Sequence, residues 1–393
     1  MLKVIFSTFF IYNSIQAYQY IKDKYSYQYE DWLINYSNGF VRRGLIGELL
    51  IKVSQIINAN LQVILYLFLI FLLFIFYYKS LKIFSNLKLN FATLFLIFSP
   101  YYFFFYLTNH TAGVRKEFLL FIFFCYFVSN IKIDNIKKNL WKYSLFFPIL
   151  VLVHEGLFFY LPFFVLIVLF FLTNKKNFNF VIKNLIFTIL LSSLIFCFSF
   201  LFKGSMEHVV SICNSLNGYV KETCTQGGAI NELNYKLTQA TMEVYKEHNL
   251  ISILQWILIT FYGFIPIIFL LKNSEFKTKL YLENLLKLKS YNFIKIFLLI
   301  SFVCMLPLFF VAFDWGRWLS IYYHLTVFVI IFLIKNKMLV LKKIKLININ
   351  KKIIIILFLY ATFLTPSVFN QISSKTENVF ELNYIKLLNK FNQ

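Results

Sequence analysis

Glycine is scarce, at 11 residues in 393, proline scarcer at 6, and only 14% of residues are charged. A chain so poor in charge and in glycine is neither a soluble globular enzyme, nor a disordered polymer, nor a fibrous protein. No Gly/Ser-rich or Pro-rich linker divides it and no repeat of fixed period is visible, so residues 1–393 read as a single domain. A P-loop, G-x-G-x-x-G, H-E-x-x-H and G-x-S-x-G are all absent. ATP hydrolysis, a nicotinamide cofactor and zinc proteolysis therefore lack support, and no cofactor is expected. Arginine is rarest of the basic residues, with four (Arg42, Arg43, Arg115, Arg317) among 39 Lys+Arg.

What is abundant is apolar surface: 60% hydrophobic residues, 21% aromatic, and 52 Phe alone. It comes in blocks of about 15 to 22 residues between short polar segments, the pattern of a multi-pass membrane protein. The formal net charge of +22 does not point to nucleic acid, because lysines sit between the apolar blocks rather than along one amphipathic face. Charge bias across a membrane explains them better.

The expected fold is all-α, a polytopic helical bundle. Candidate spans are 2–20, 61–78, 89–107, 117–130, 181–202, 251–271, 293–313, 318–334 and 353–369. Two shorter runs, 143–153 and 156–172, flank His154-Glu155-Gly156, which brings the total to about eleven segments. Loops 79–90, 131–142, 173–183, 272–295 and 335–352 carry 23 basic and three acidic residues, whereas the opposite set carries 15 and 14. The first set is assigned to the cytoplasm of a bacterial inner membrane, with the N-terminus inside. The opposite set includes a first loop, 21–60, read as two interfacial amphipathic helices around 29–37 and 45–57, and a long loop, 203–250. The first span is read as retained, because Ile15 stands where a leader cleaved after Ala17 needs a small residue.

Cys125, Cys197 and Cys304 fall in apolar spans and read as small core residues. Cys213 and Cys224 share the long loop, where an oxidising compartment lets them pair. No C-x-x-C or H-x-x-x-H accompanies them, so no metal site is expected. His208, His248 and His324 read as structural.

Four clusters of polar residues remain unexplained by topology, all on the expected outer side. They are Tyr29-Glu30-Asp31-Trp32 with Asn38 through Glu48, then Asn109-His110 through Glu117, then His154-Glu155-Gly156, then Asp314-Trp315-Gly316-Arg317-Trp318. All four arginines lie in them. In a chain that uses lysine for generic charge, arginine is a marked choice, suited by its planar fork to phosphate and carboxylate. Arg42, Arg43, Arg115 and Arg317, with His110 and His154, are therefore the candidate substrate and phosphate ligands. Asp31, Glu30, Glu155 and Asp314 are the candidate bases, Asp31 first among them. A carboxylate taking a proton from a sugar hydroxyl, beside arginines that hold a departing phosphate, describes glycosyl transfer from a polyprenyl-linked donor.

With its acidic residue in a first external loop of two juxtamembrane helices, here Glu30-Asp31, the layout resembles the GT-C membrane glycosyltransferases. In length, in Phe/Ile/Tyr-rich spans and in external arginines it also resembles Wzy-type O-antigen polymerases. The resemblance implies a metal-independent transferase of lipopolysaccharide or other surface polysaccharide synthesis. Its substrate would be a polyprenyl-(di)phosphate-linked glycan, and its partners membrane lipid and a chain-length regulator protein. The alternatives are a transporter or flippase of lipid-linked glycan, and a non-catalytic partner in envelope assembly.

Reporter fusions after residues 84, 136, 178, 283 and 344 are expected to report cytoplasm, and those after 112, 228 and 316 the outer side. A cytoplasmic signal at 228 would overturn the charge-based orientation.

Overall fold

The computed structural model describes residues 2–23, 27–85, 87, 90–109, 112–131, 136–172, 177–247, 250–277, 290–341 and 351–364. Among them the protein is all-α apart from one pair of three-residue strands. The helices are α1 (Leu2–Asp23), α2 (Tyr27–Leu33), α3 (Gly44–Ile57), α4 (Leu61–Ser85), α5 (Phe91–Ile97), α6 (Phe103–Thr108), α7 (Glu117–Asn130), α8 (Ile136–Val153) and α9 (Leu161–Leu169). They continue as α10 (Phe178–Leu201), α11 (Met206–Ser215), α12 (Gly228–Asn231), α13 (Leu237–Glu247), α14 (Leu250–Lys272), α15 (Ser290–Val311), α16 (Trp315–Lys335) and α17 (Lys351–Phe363). Among the described residues five stretches are long and apolar enough to cross a membrane: 61–85, 178–201, 253–272, 292–311 and 315–335. Shorter apolar helices occupy 117–130, 139–153, 155–169 and 352–363.

α16 forms the centre. It is buried without interruption from Gly316 to Leu333, as a helix that is apolar all round must be. α7, α9, α14 and α15 pack around it, α4 covers α7, and α1 covers α4. α8 and α10 pair at the side.

The expected span 89–107 is two short helices rather than one. Asn90 caps α5 in a reciprocal capping box with Thr93. Pro100 then denies the chain an N–H and biases Ser99 away from helical geometry. Carbonyls along the interrupted run find donors on α16: Ser320 donates to Tyr101 O at 2.9 Å and Tyr323 to Leu96 O at 3.1 Å. Backbone this deep in an apolar core needs such donors. The span 353–369 is helical to Phe363, and residues 365–369 lie outside the described set. The hairpin 143–172 has a longer first arm than expected, starting at Ile136, and a turn of 3-10 helix, Glu155–Tyr160, before α9. Antiparallel strands β1 (Ser274–Phe276) and β2 (Leu339–Leu341), not foreseen, clip together the ends of α14 and α16. Cys125 is buried as expected of a core residue, but Cys197 is exposed on α10.

The two helices expected to lie in an interface differ in character. α3 exposes Leu49, Val53, Ile56 and Ile57 along one stripe, as an interfacial helix does. α2 instead is buried from Gln28 to Leu33. It is roofed by the loop after α10, whose short helix α12 packs on it. The indole of Trp32 donates to Val114 O at 2.9 Å. α3 sits directly on the end of α2, since a Cβ at Gly47 would lie 2.0 Å from Ile34 O.

The loop 203–247 is a folded cap. Ser205 and His208 form a capping box that starts α11, a structural role for that histidine. Cys213 and Cys224 are disulfide-bonded with Cα atoms 6.0 Å apart. The bond ties α11 to the turn that precedes α12. Opening it should loosen the cap by about 3 kcal/mol on chain-entropy grounds. Limited proteolysis of the Cys213→Ser/Cys224→Ser variant is expected to cut between α11 and α13 faster than in the parent. An unchanged cutting rate would show that the cap does not depend on the cross-link.

Candidate functional site

Three of the four sequence clusters, and the described part of the fourth, meet where α7 and α16 begin and α8 ends. The centre is Glu155. Arg43 grips it with Nε at 3.0 Å from both carboxylate oxygens and a terminal nitrogen at 2.6 Å from Oε1, and Arg42 adds a contact to Oε1 at 3.2 Å. Such a two-pronged fork is the geometry that arginine offers and lysine does not. Asp31 lies alongside, its Oδ1 3.9 Å from Arg43 and 3.4 Å from Lys116 Nζ. The second half of the site holds Asp314, whose Oδ2 is 2.8 Å from Arg317 and 3.8 Å from Arg115. Glu117 Oε1 stands 3.8 Å from Arg317 Nε. The consecutive residues Arg115, Lys116 and Glu117 feed both halves.

All of these groups are buried except Arg42, whose side chain is 22% exposed, and Arg43, at 15%. Buried charges survive only when paired, and stripping one partner typically costs several kcal/mol. Aromatic faces complete the lining. Arg317 lies 4.1 Å from the centre of the Trp318 ring and Arg115 5.0 Å from that of Tyr27.

The backbone is strained at the site. Arg43 adopts φ 67°, in the left-handed region, directly before α3. For a residue with a long side chain that costs on the order of 1–3 kcal/mol, and such residues concentrate at functional sites. The conformation turns the guanidinium onto Glu155 while the Arg43 carbonyl accepts from Lys116 Nζ at 3.1 Å.

Burial pushes the Asp31 carboxyl up, but Lys116 and Arg43 more than offset it and hold it below the usual range. Asp31 is therefore ionised at neutral pH. Burial, with Arg43 nearby, pushes His154 down to about 3. Its neutral ring accepts from the Gly156 amide at 3.0 Å and starts the 3-10 turn that aims Glu155.

One arginine nitrogen keeps capacity for a ligand, Arg42 Nε, because Arg317 Nε already faces the Glu117 carboxylate. Arg42 Nε and Arg317 Nε are buried without a hydrogen-bond partner among the described residues, and so is Glu117 Oε1 facing the latter. Next to Arg42 runs an apolar groove of about 390 Å³ lined by Phe40, Leu152, Ile195, Phe198 and Phe202. Arg42 N donates to Phe202 O at its edge. Among the described residues no group of three or more His, Cys, Asp and Glu is arranged to hold a metal ion.

Of the sequence candidates, Asp31, Glu155, Asp314, Arg42, Arg43, Arg115, Arg317 and His154 are brought together. Glu30 points elsewhere, into the cap, where the amides of Ala229 and Ile230 donate to it. Its carboxylate lies against Gly228, where φ is +86° and a Cβ would fall 1.8 Å from Oε2. His110 lies outside the described residues. Sequence reasoning passed over Lys116, Glu117, Tyr27 and Glu232. Tyr27 donates to Glu232 at 2.7 Å and Arg42 to the Glu232 carbonyl at 3.3 Å, so the cap also reaches the site. Lys116 had a signal, its place beside Arg115 in a loop set short of lysine.

The chain matches no protein-family model, no curated protein sequence and no solved structure.

Glu30 makes the cap sensitive to pH. Burial raises its carboxyl to about 7, against the pull of the Ile230 and Ala229 amides and of Lys221. A raised carboxyl stabilises the fold fully below about pH 4.5 and loses that contribution as pH climbs through about 7, on the order of 3 kcal/mol at 1.36 per unit. The thermal midpoint should fall between about pH 5 and about pH 8. In Glu30→Gln it should fall less and end higher at the upper pH. Equal slopes in parent and variant would contradict this.

Proposed function

We propose that this chain is a polytopic membrane glycosyltransferase, GT-C-like in layout with about eleven segments, that uses a polyprenyl-linked sugar donor at the outer face of a bacterial inner membrane. Its reaction would polymerise lipid-linked repeat units of a surface polysaccharide of the O-antigen type. The observation that carries the reading is the one site in which all four arginines meet four carboxylates of the same expected face, Asp31, Glu117, Glu155 and Asp314, with an unpartnered buried nitrogen on Arg42. A site built only for stability has no use for an uncommitted guanidinium nitrogen.

In this reading the donor phosphates sit against Arg42, whose Nε is uncommitted, and the groove beside it takes the lipid next to them. Both ion pairs of Asp31 fall on Oδ1. The acceptor hydroxyl gives its proton to Asp31. Its oxygen forms the bond to the anomeric carbon, the bond from that carbon to phosphate breaks, and the polyprenyl (di)phosphate leaves with the electron pair. The arginines stabilise the charge that develops on the leaving group, in a water-poor site where such stabilisation is strongest. Glu155, clamped by two guanidiniums, orients Arg42 and Arg43 rather than taking a proton.

A transporter of lipid-linked glycan is the second reading. The broken helix pair α5–α6 favours it, since discontinuous helices line many transport paths.

Arg317→Lys and Arg42→Lys keep charge and lose the fork. Both should cut elongation by about 10²-fold at matched protein level, read as polysaccharide chain length on a gel. Asp31→Asn should abolish elongation while donor binding persists, because an amide accepts no proton. Wild-type chains from Asp31→Asn combined with none from Glu155→Gln would move the base to the His154-Glu155 turn.

A further inference from the structure

Lysine is this protein's generic charge, yet one lysine breaks the pattern. Among the described residues Lys116 is the only lysine that is buried, and its exposure is 0%. An ammonium removed from water must be matched by close partners. Lys116 Nζ has two: Asp31 Oδ1 at 3.4 Å and the Arg43 carbonyl at 3.1 Å, with the Trp32 ring centre 6.0 Å away. These partners belong to α2 and to the turn before α3, while Lys116 itself directly precedes α7. One side chain thus joins three segments of the site. One partner is the candidate base. The other is the backbone of the strained residue whose side chain clamps Glu155.

We propose that Lys116 is a positioning residue: it sets the charge and place of the Asp31 carboxylate and holds the left-handed turn at Arg43, so that acceptor and donor groups keep one geometry. The role rests on the glycosyl-transfer reading. Three points argue for it over a simple structural ion pair. A surface pair would serve stability alone and need no burial. An arginine could not sit there equivalently, since its planar fork spreads donors where a compact ammonium meets two oxygens from different directions. And the left-handed Arg43 would otherwise have no side-chain donor on its carbonyl to hold it. The groups that face Asp31 are Lys116, Arg43, His154 and Arg115, with the Tyr27 hydroxyl also near; those that face Lys116 are Asp31, Arg43 and Glu155. Removing Lys116 takes the largest attraction from Asp31 and leaves only the weaker ones.

The test uses the full-length protein in membranes and follows elongation rate against pH. Lys116→Met keeps length and loses charge. It should lower the rate by about 10²-fold, the scale of an ångström-sized misplacement of a reacting group. The acid limb of its pH profile should also move to higher pH, as Asp31 gains protons more readily. Lys116→Arg should restore the acid limb but not the rate, because it returns the charge and not the grip on the Arg43 carbonyl. A merely structural lysine would leave the acid limb of Lys116→Met unmoved, and that result overturns the proposal. Should Lys116→Met fail to accumulate in membranes, Lys116→Arg decides alone, and a wild-type rate there overturns it. Asp31→Asn run in parallel separates the two ideas. If Asp31→Asn is inactive while Lys116→Met behaves as wild type, only the role of Lys116 falls; if Asp31→Asn elongates normally, the glycosyl-transfer assignment of Asp31 falls.

Discussion

The rest of the structure depends on the ion pair between a half-buried Arg43 and a buried Glu155, at the point where helices begin and end. Its nitrogen–oxygen distance is 2.6 Å, and neither charge can be left alone in such surroundings without a penalty of several kcal/mol. That demand propagates. Glu155 must emerge from a 3-10 turn rather than a continued helix, so the hairpin breaks at His154. Arg43 must take a left-handed backbone, so α3 starts with a strained residue, and Lys116 must reach its carbonyl. The second set of pairs, Asp314 with Arg317 and Arg115, repeats the same logic one helix away.

The cap follows from the same constraint. A cluster of charges at a helix end open to water would gain little from its pairings. The segment from α11 to α13 covers α2, buries Glu30 and brings Tyr27 and Glu232 together. The disulfide keeps that cover compact. The arrangement leaves Arg42 the most exposed cation of the site, beside an apolar groove. A ligand with an anionic head and a greasy tail matches both, and such a molecule is the substrate class that the proposed function requires.

Much of this was legible in the residues. Apolar block lengths give the helices, and the contrast between a few arginines and many lysines marks the site. What local sequence cannot carry is direction. Glu30 and Asp31 are neighbours, yet a turn of about 100° along a short helix sends one into the cap and the other into the site. α2 looked interfacial because its apolar side chains recur at helical spacing, which a buried helix shows equally. The break at Pro100 was visible as a proline, but its tolerance depends on Ser320 and Tyr323, more than 200 residues on. Lys116 had only its place beside Arg115 to mark it, because its type is shared by the many lysines that stay in water.

The reading of this site as one for glycosyl transfer is tested most directly by reconstitution. The purified protein in liposomes is supplied with a polyprenyl-diphosphate-linked repeat unit, and lipid-linked products are sized by mass spectrometry. The account predicts a ladder of longer chains together with released polyprenyl diphosphate. Movement of the lipid-linked unit across the bilayer, with no lengthening and no released diphosphate, would contradict it and favour transport.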